Sequence, residues 1–161
     1  MTSFQICSDL HIEYKSGDIS PDPLKYIKPV AEILILAGDI GSLYKYNQLK
    51  FFLKKTCIHF KTVLYVPGNH EYYKQEGYKP LSMHKLSIRL ESISKCINNL
   101  FIINRTSYKI NNICIAGCTL WSDTNIKIPN FIVRIKGMNS DMYRNSYLND
   151  LSYIKNIVKY C

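Results

Sequence analysis

Ile33-Leu34-Ile35-Leu36-Ala37 is an unbroken aliphatic run that stops at Gly38. No polar residue alternates within it, so both faces of the segment must be buried. That is the signature of a central strand in a parallel sheet covered on both sides. Two further runs, Phe4 to Ser8 and Val63 to Val66, read as neighbouring strands. Leu49, Phe52, Leu53, Cys57 and Phe60 recur at helical spacing, which makes the segment before Val63 a crossover helix. Met83, Leu86, Leu90, Ile93 and Ile97 form a second stripe with steps of three and four, and Pro80 suits its first turn. Pro21-Asp22-Pro23 opens a loop or short helix.

From Phe101 onward the pattern changes. Phe101 to Ile103, Ser107 to Ile110 and Ile113 to Ala116 read as short strands, with Asn111-Asn112 as a tight hairpin turn. A last helix is predicted after an N-cap at Asn149-Asp150, with Ile154, Ile157, Val158 and Cys161 on one face. Strand, helix, strand, helix and then strands predict an α/β sheet, parallel at first and antiparallel later. One domain over residues 1–161 is expected, since that length supports one core and no linker interrupts it.

Composition removes several classes. With 47% hydrophobic and 20% charged residues, the chain is globular rather than disordered. No apolar run is long enough to span a bilayer, and Met1-Thr2-Ser3-Phe4-Gln5 lacks the features of a signal peptide. A cytoplasmic location without a membrane partner is expected. The six cysteines contain no Cys-x-x-Cys pair, so reduced, buried thiols are expected rather than a disulfide framework, with Cys161 exposed and oxidisable. The formal net charge of +9 permits an anionic partner. The lysines are scattered, so nucleic acid stays open as a partner but is not favoured over attraction to a phosphorylated substrate.

Three short runs carry the chemistry: Ser8-Asp9-Leu10-His11, Gly38-Asp39-Ile40 and Gly68-Asn69-His70-Glu71. Each follows a predicted strand, and in a parallel sheet the carboxyl ends of the strands crowd one edge. Asp9 and His11, two apart in extended backbone, point to one side and can reach one ion. This mixture of carboxylate and imidazole suits Mn, Fe or Zn better than Ca or Mg. Asp39 has two oxygens and can bridge two ions, whereas Asn69 ligates without adding charge. His70 is left free to protonate a leaving oxygen or to steady developing charge. Glu71 reads as a supporting partner behind the ligands.

The three runs, in this order and after strands, resemble the calcineurin-like metallophosphoesterases, whose pattern is Asp-x-His, Gly-Asp and Gly-Asn-His-Asp/Glu. Gly117-Cys118-Thr119-Leu120-Trp121-Ser122-Asp123 is similar to a Gly-x-Thr-Leu-Trp segment of a small bacterial-type subgroup, and Met138 to Arg144 loosely resembles the run that follows there. The resemblance implies an αββα fold, a mixed β-sandwich flanked by helices. It also implies that Asp9 and His11 bind a first metal, Asp39 bridges, Asn69 binds a second and His70 acts on the phosphate. The implied activity is hydrolysis of a phosphomonoester or phosphodiester by a metal-held hydroxide at a dinuclear site.

The family pattern continues with two later histidine motifs, and no histidine follows His84 here. His59, between a helix and a strand, and His84, on the polar face of the second helix, are not expected to replace them. The expectation is therefore a domain lacking its C-terminal part, with two metals in a complete site and one here. A homo-oligomer or a separate C-terminal chain would then supply the remaining ligands. The alternative is a catalytically inactive or single-metal remnant that binds phosphate or a partner. Trp121 and Asp123 are expected to be core packing and a loop carboxylate, and Arg144 to be solvated or salt-bridged. Tyr72 and Tyr73 either line a pocket or pack.

Overall fold

The computed structural model describes residues 2–15, 19–123 and 134–159. Four strands, β1 (Phe4–Cys7), β2 (Ile33–Ala37), β3 (Thr62–Val66) and β4 (Leu100–Ile102), form a parallel sheet in the order β1-β2-β3-β4. Chain order and spatial order coincide, so the loops after β1, β2 and β3 emerge side by side. In β3, Val63, Leu64 and Tyr65 have no solvent exposure, so both faces are covered; in β2, Leu34 and Leu36 have none, but Ile35 is half-buried and Ala37 exposed, so the second face of that run is only partly covered. The crossovers are α1 (Tyr46–Cys57) and α2 (Met83–Lys95), which bury Leu49, Phe52 and Leu53, and Leu86, Leu90 and Ile93, respectively. Ser82 caps α2 by accepting from the Lys85 amide, so Pro80 precedes the cap rather than sitting in the first turn. Pro23–Lys25 is a single 3-10 turn whose first amide is capped by Asp22.

β5 (Thr106–Ile110) and β6 (Ile113–Gly117) form a separate antiparallel hairpin, turned at Asn111 with φ 53°. This hairpin packs on the main sheet through Gly117. A Cβ there would stand 2.9 Å from Val66 and 3.1 Å from Ile103, too close for any larger residue. The architecture is thus α/β with parallel and antiparallel strands flanked by three helices, the αββα arrangement expected. Among the described residues no helix is long and apolar enough to cross a membrane.

Two expectations need correction. The last helix, α3 (Ser140–Ile157), starts ten residues before the predicted cap; Asn139 is the N-cap, accepting from the Met142 amide. Asp150 lies inside that helix, 1% exposed, where it accepts from Arg105 at 3.1 Å and from the Trp121 amide at 3.3 Å. It therefore ties α3 to the hairpin instead of starting a helix. The thiols also differ: Cys114 is disulfide-bonded and Cys96 is exposed, while Cys7, Cys57, Cys96 and Cys118 are free. Cys161 lies outside the described residues.

Candidate metal centre

The loops that follow β1 and β2 keep pairing past the strand ends. The amides of Asp9, His11 and Ile12 donate to the carbonyls of Gly38, Asp39 and Ile40 at 3.1, 3.0 and 3.0 Å. This pairing holds the two loops in register, but it does not leave them extended. Asp9, His11 and Asp39 all have positive φ, at 57°, 47° and 54°. The i, i+2 reading of an extended strand is therefore wrong for Asp9 and His11. Strand β1 ends at Cys7, and each of these two residues is in the left-handed region. Three non-glycine residues in that region cost about 1–3 kcal/mol each. Such cost persists where surrounding structure enforces it, and it concentrates at functional sites.

The strain converges the side chains. Asp9, His11 and Asp39 each offer one ligand atom, and these atoms all lie within 4.8 Å of one another. His11, Glu13 and His70 form a second such group. The His11 and His70 rings stand edge to face, 4.7 Å between centroids.

The third loop is held by Glu71. Its carboxylate is wholly buried and accepts from five donors: the amides of Asp39 (3.0 Å), Ile40 (2.7 Å), Gly41 (3.3 Å) and Gly68 (2.7 Å), and the Tyr65 hydroxyl (2.7 Å). The Leu43 amide donates to the Glu71 carbonyl. Glu71 thereby staples the Asp39 loop to the Asn69-His70 loop, the supporting role read from the sequence. Burial is the strongest influence on its carboxyl and pushes it up to about 7; the Tyr65 hydroxyl and the Ile40 and Gly41 amides pull the other way. Two glycines make the close approach of these loops feasible. Gly38 has φ 86°, and a Cβ on it would meet the Gly68 Cα at 3.0 Å. A Cβ on Gly68 would overlap the Asp39 carboxylate.

Asn69 and His70 open a short 3-10 turn, His70–Tyr72, beside this junction. The His70 amide donates to Asp39 Oδ1 at 3.1 Å, and the His70 ring leans on Tyr73 at 4.9 Å. Burial pushes the Tyr73 hydroxyl up, while the neighbouring Asn69 side chain pulls the other way. Tyr73 thus belongs to the rim of the centre, while Tyr72 is core, packed against Trp121. Trp121 is buried and Asp123 pairs with Arg144 at 3.6 Å near the surface, as expected of both. His59 and His84 are exposed and belong to neither donor group.

Glu13 was not anticipated. It sits in a 3-10 turn, Ile12–Tyr14, 2% exposed, with Oε1 3.2 Å from His11 Nδ1. A glutamate two residues past a candidate ligand, between Ile12 and Tyr14, is the signal that could have found it. The donor chemistry fits a divalent transition ion: two carboxylates and one imidazole, partly exposed on one side and backed by fixed partners.

The sequence profile of the family described as Calcineurin-like phosphoesterase matches residues 3–152. A curated protein of Acanthamoeba polyphaga mimivirus, "Uncharacterized protein L509", is 33% identical over 144 residues, covering 82% of this chain and 49% of that protein. The chain spans about half the length of that relative.

Proposed function

We propose a function for this chain from one premise: it belongs to the calcineurin-like phosphoesterase family. Asp9, His11 and Asp39 hold one divalent ion, Mn, Fe or Zn, at the carboxyl edge of the parallel sheet, and a phosphoryl group binds against it. The observation that carries this reading is the convergence of the three donor atoms within 4.8 Å, on residues that all hold a left-handed backbone. A divalent ion there supplies positive charge to phosphoryl oxygens. Two carboxylates offset the ion's charge, and the net positive chain attracts phosphorylated ligands.

His70 stands across from His11 with its amide tied to Asp39, so its ring is placed to meet the phosphoryl group or its leaving oxygen. Asn69 offers a neutral oxygen toward a second ion position. The described residues thus form a single-ion, phosphate-binding module.

Phosphomonoester or phosphodiester hydrolysis is the second reading, favoured by the family and by His70. It requires ligands for the second ion beyond Asp39 and Asn69. Two assays separate the readings. Retention of inorganic phosphate that depends on Mn²⁺ and is lost in Asp39→Asn supports the module; retention without Mn²⁺ contradicts it. Turnover of aryl phosphate monoesters or diesters, abolished by both Asp39→Asn and His70→Ala, would make the chain a hydrolase.

A further inference from the structure

We propose that Glu13 is a positioning residue shared by both imidazoles of the centre, one carboxylate oxygen accepting Nδ1–H from His11 and the other accepting Nδ1–H from His70. The consequence for metal affinity rests on the single-ion reading above; the geometry does not. Glu13 is 2% exposed, and the Lys45 ammonium donates to its backbone carbonyl at 3.0 Å, which fixes the turn that carries it. Its Oε1 is 3.2 Å from His11 Nδ1. Among the described residues, its buried Oε2 finds no hydrogen-bond partner, and neither does the buried His70 Nδ1. One ligand atom from each of His11, Glu13 and His70 lies within 4.8 Å of the other two.

These two orphaned atoms are of opposite kind. A carboxylate oxygen only accepts, and a neutral imidazole nitrogen that carries a proton donates. Leaving both unpaired in one buried cluster is costly on each side. A shift of the His70 ring, or one bridging water, would join them.

The arrangement fixes the chemistry of both rings. With Nδ1–H given to Glu13, His11 turns the lone pair of Nε2 outward, as a ligand must. His70 likewise presents Nε2.

The test reads ring tautomers directly, by long-range proton–nitrogen-15 NMR correlation on the metal-free full chain. In the wild type, His11 and His70 are expected as Nδ1–H tautomers, whereas the exposed His59 and His84 report the Nε2–H form that water favours. In Glu13→Ala both His11 and His70 are expected to switch to Nε2–H. In Glu13→Gln one of the two is expected to switch, because the carboxamide keeps a single acceptor. Mn²⁺ affinity is expected to fall about 10- to 100-fold in Glu13→Ala and less in Glu13→Gln. An Nε2–H tautomer at either ring in the wild type, or Nδ1–H retained at both in a folded Glu13 variant, overturns the proposal. If Glu13→Ala does not fold, the wild type and Glu13→Gln decide. A wild-type chain that binds no Mn²⁺ sinks the metal reading, and the tautomers still decide this one.

Discussion

Gly68→Ala isolates the loop junction on which the centre depends. A Cβ at this position would lie 2.6 Å from the Asp39 amide nitrogen and 2.9 Å from its Cγ, and would overlap the carboxylate oxygen. Ordinary contact begins near 3.4 Å, so Asp39 must retreat by about 1 Å, or the third loop must peel away. Either movement strains two hydrogen bonds, His70 N–H to Asp39 Oδ1 and Asp39 N–H to Glu71 Oε2. Overpacking costs about 1–3 kcal/mol and each lost bond about 1 kcal/mol, so about 2–5 kcal/mol is expected. With a urea slope of about 2 kcal/mol per molar, the unfolding midpoint falls by about 1 M or more. Gly77→Ala is the control. Gly77 has a positive φ, at 78°, which Gly68 lacks, and nothing lies within 4 Å of an added Cβ, so a conformational cost of about 1 kcal/mol is all that arises there. A Gly68→Ala midpoint no lower than that of Gly77→Ala, with Mn²⁺ binding intact, would contradict this close approach of the two loops.

Two further outcomes follow from buried carboxylates. The Glu71 carboxyl is held at about 7, above its ordinary 4.5, so its stabilising contribution is full below pH 4.5 and is lost as pH rises through 7. In chelator, the stability difference between wild type and Glu71→Gln is expected to shrink by up to roughly 3 kcal/mol between pH 4.5 and 8, and a difference that grows with pH would contradict this. Asp150→Ala strands the Arg105 guanidinium and the Trp121 amide. Because Arg105 is partly solvated, a loss of about 2 kcal/mol in chemical denaturation is expected, and a loss below about 0.5 kcal/mol would argue against the tie between α3 and the hairpin.

The sheet was legible because burial on both faces leaves an unmistakable sequence trace. Residues 33–37 and 63–66 read as strands and are the two central strands of the sheet, and the loops that follow them bear Asp39, Asn69 and His70. What the sequence did not disclose is how those side chains converge. Asp9 and His11 contain no glycine signal, yet both adopt the left-handed conformation, because pairing with the Gly38–Ile40 loop dictates their backbone. Local pattern assigned them to a strand; tertiary hydrogen bonds decided otherwise. The start of α3 was hidden for a related reason. Asn139 and Asn149 are both plausible caps, and only the burial of Tyr143 and Asp150 against the hairpin and Trp121 shows which one serves. Glu71 could be recognised as a partner from its place in Gly-Asn-His-Glu, but its five donors come from two separate stretches, 39–41 and 65–68. Glu13 escaped notice because its partner is an imidazole two residues away across a tight turn, a contact that no periodicity records.

The most direct measurement of the central claim is the Mn²⁺ stoichiometry and affinity of the purified chain, followed by equilibrium dialysis and electron paramagnetic resonance, beside Asp9→Ala, His11→Ala and Asp39→Asn. One ion per chain, weakened at least tenfold by each substitution while the folded state persists, is the predicted result. Binding that all three variants retain, or none in the wild type, would contradict a centre built from these three side chains.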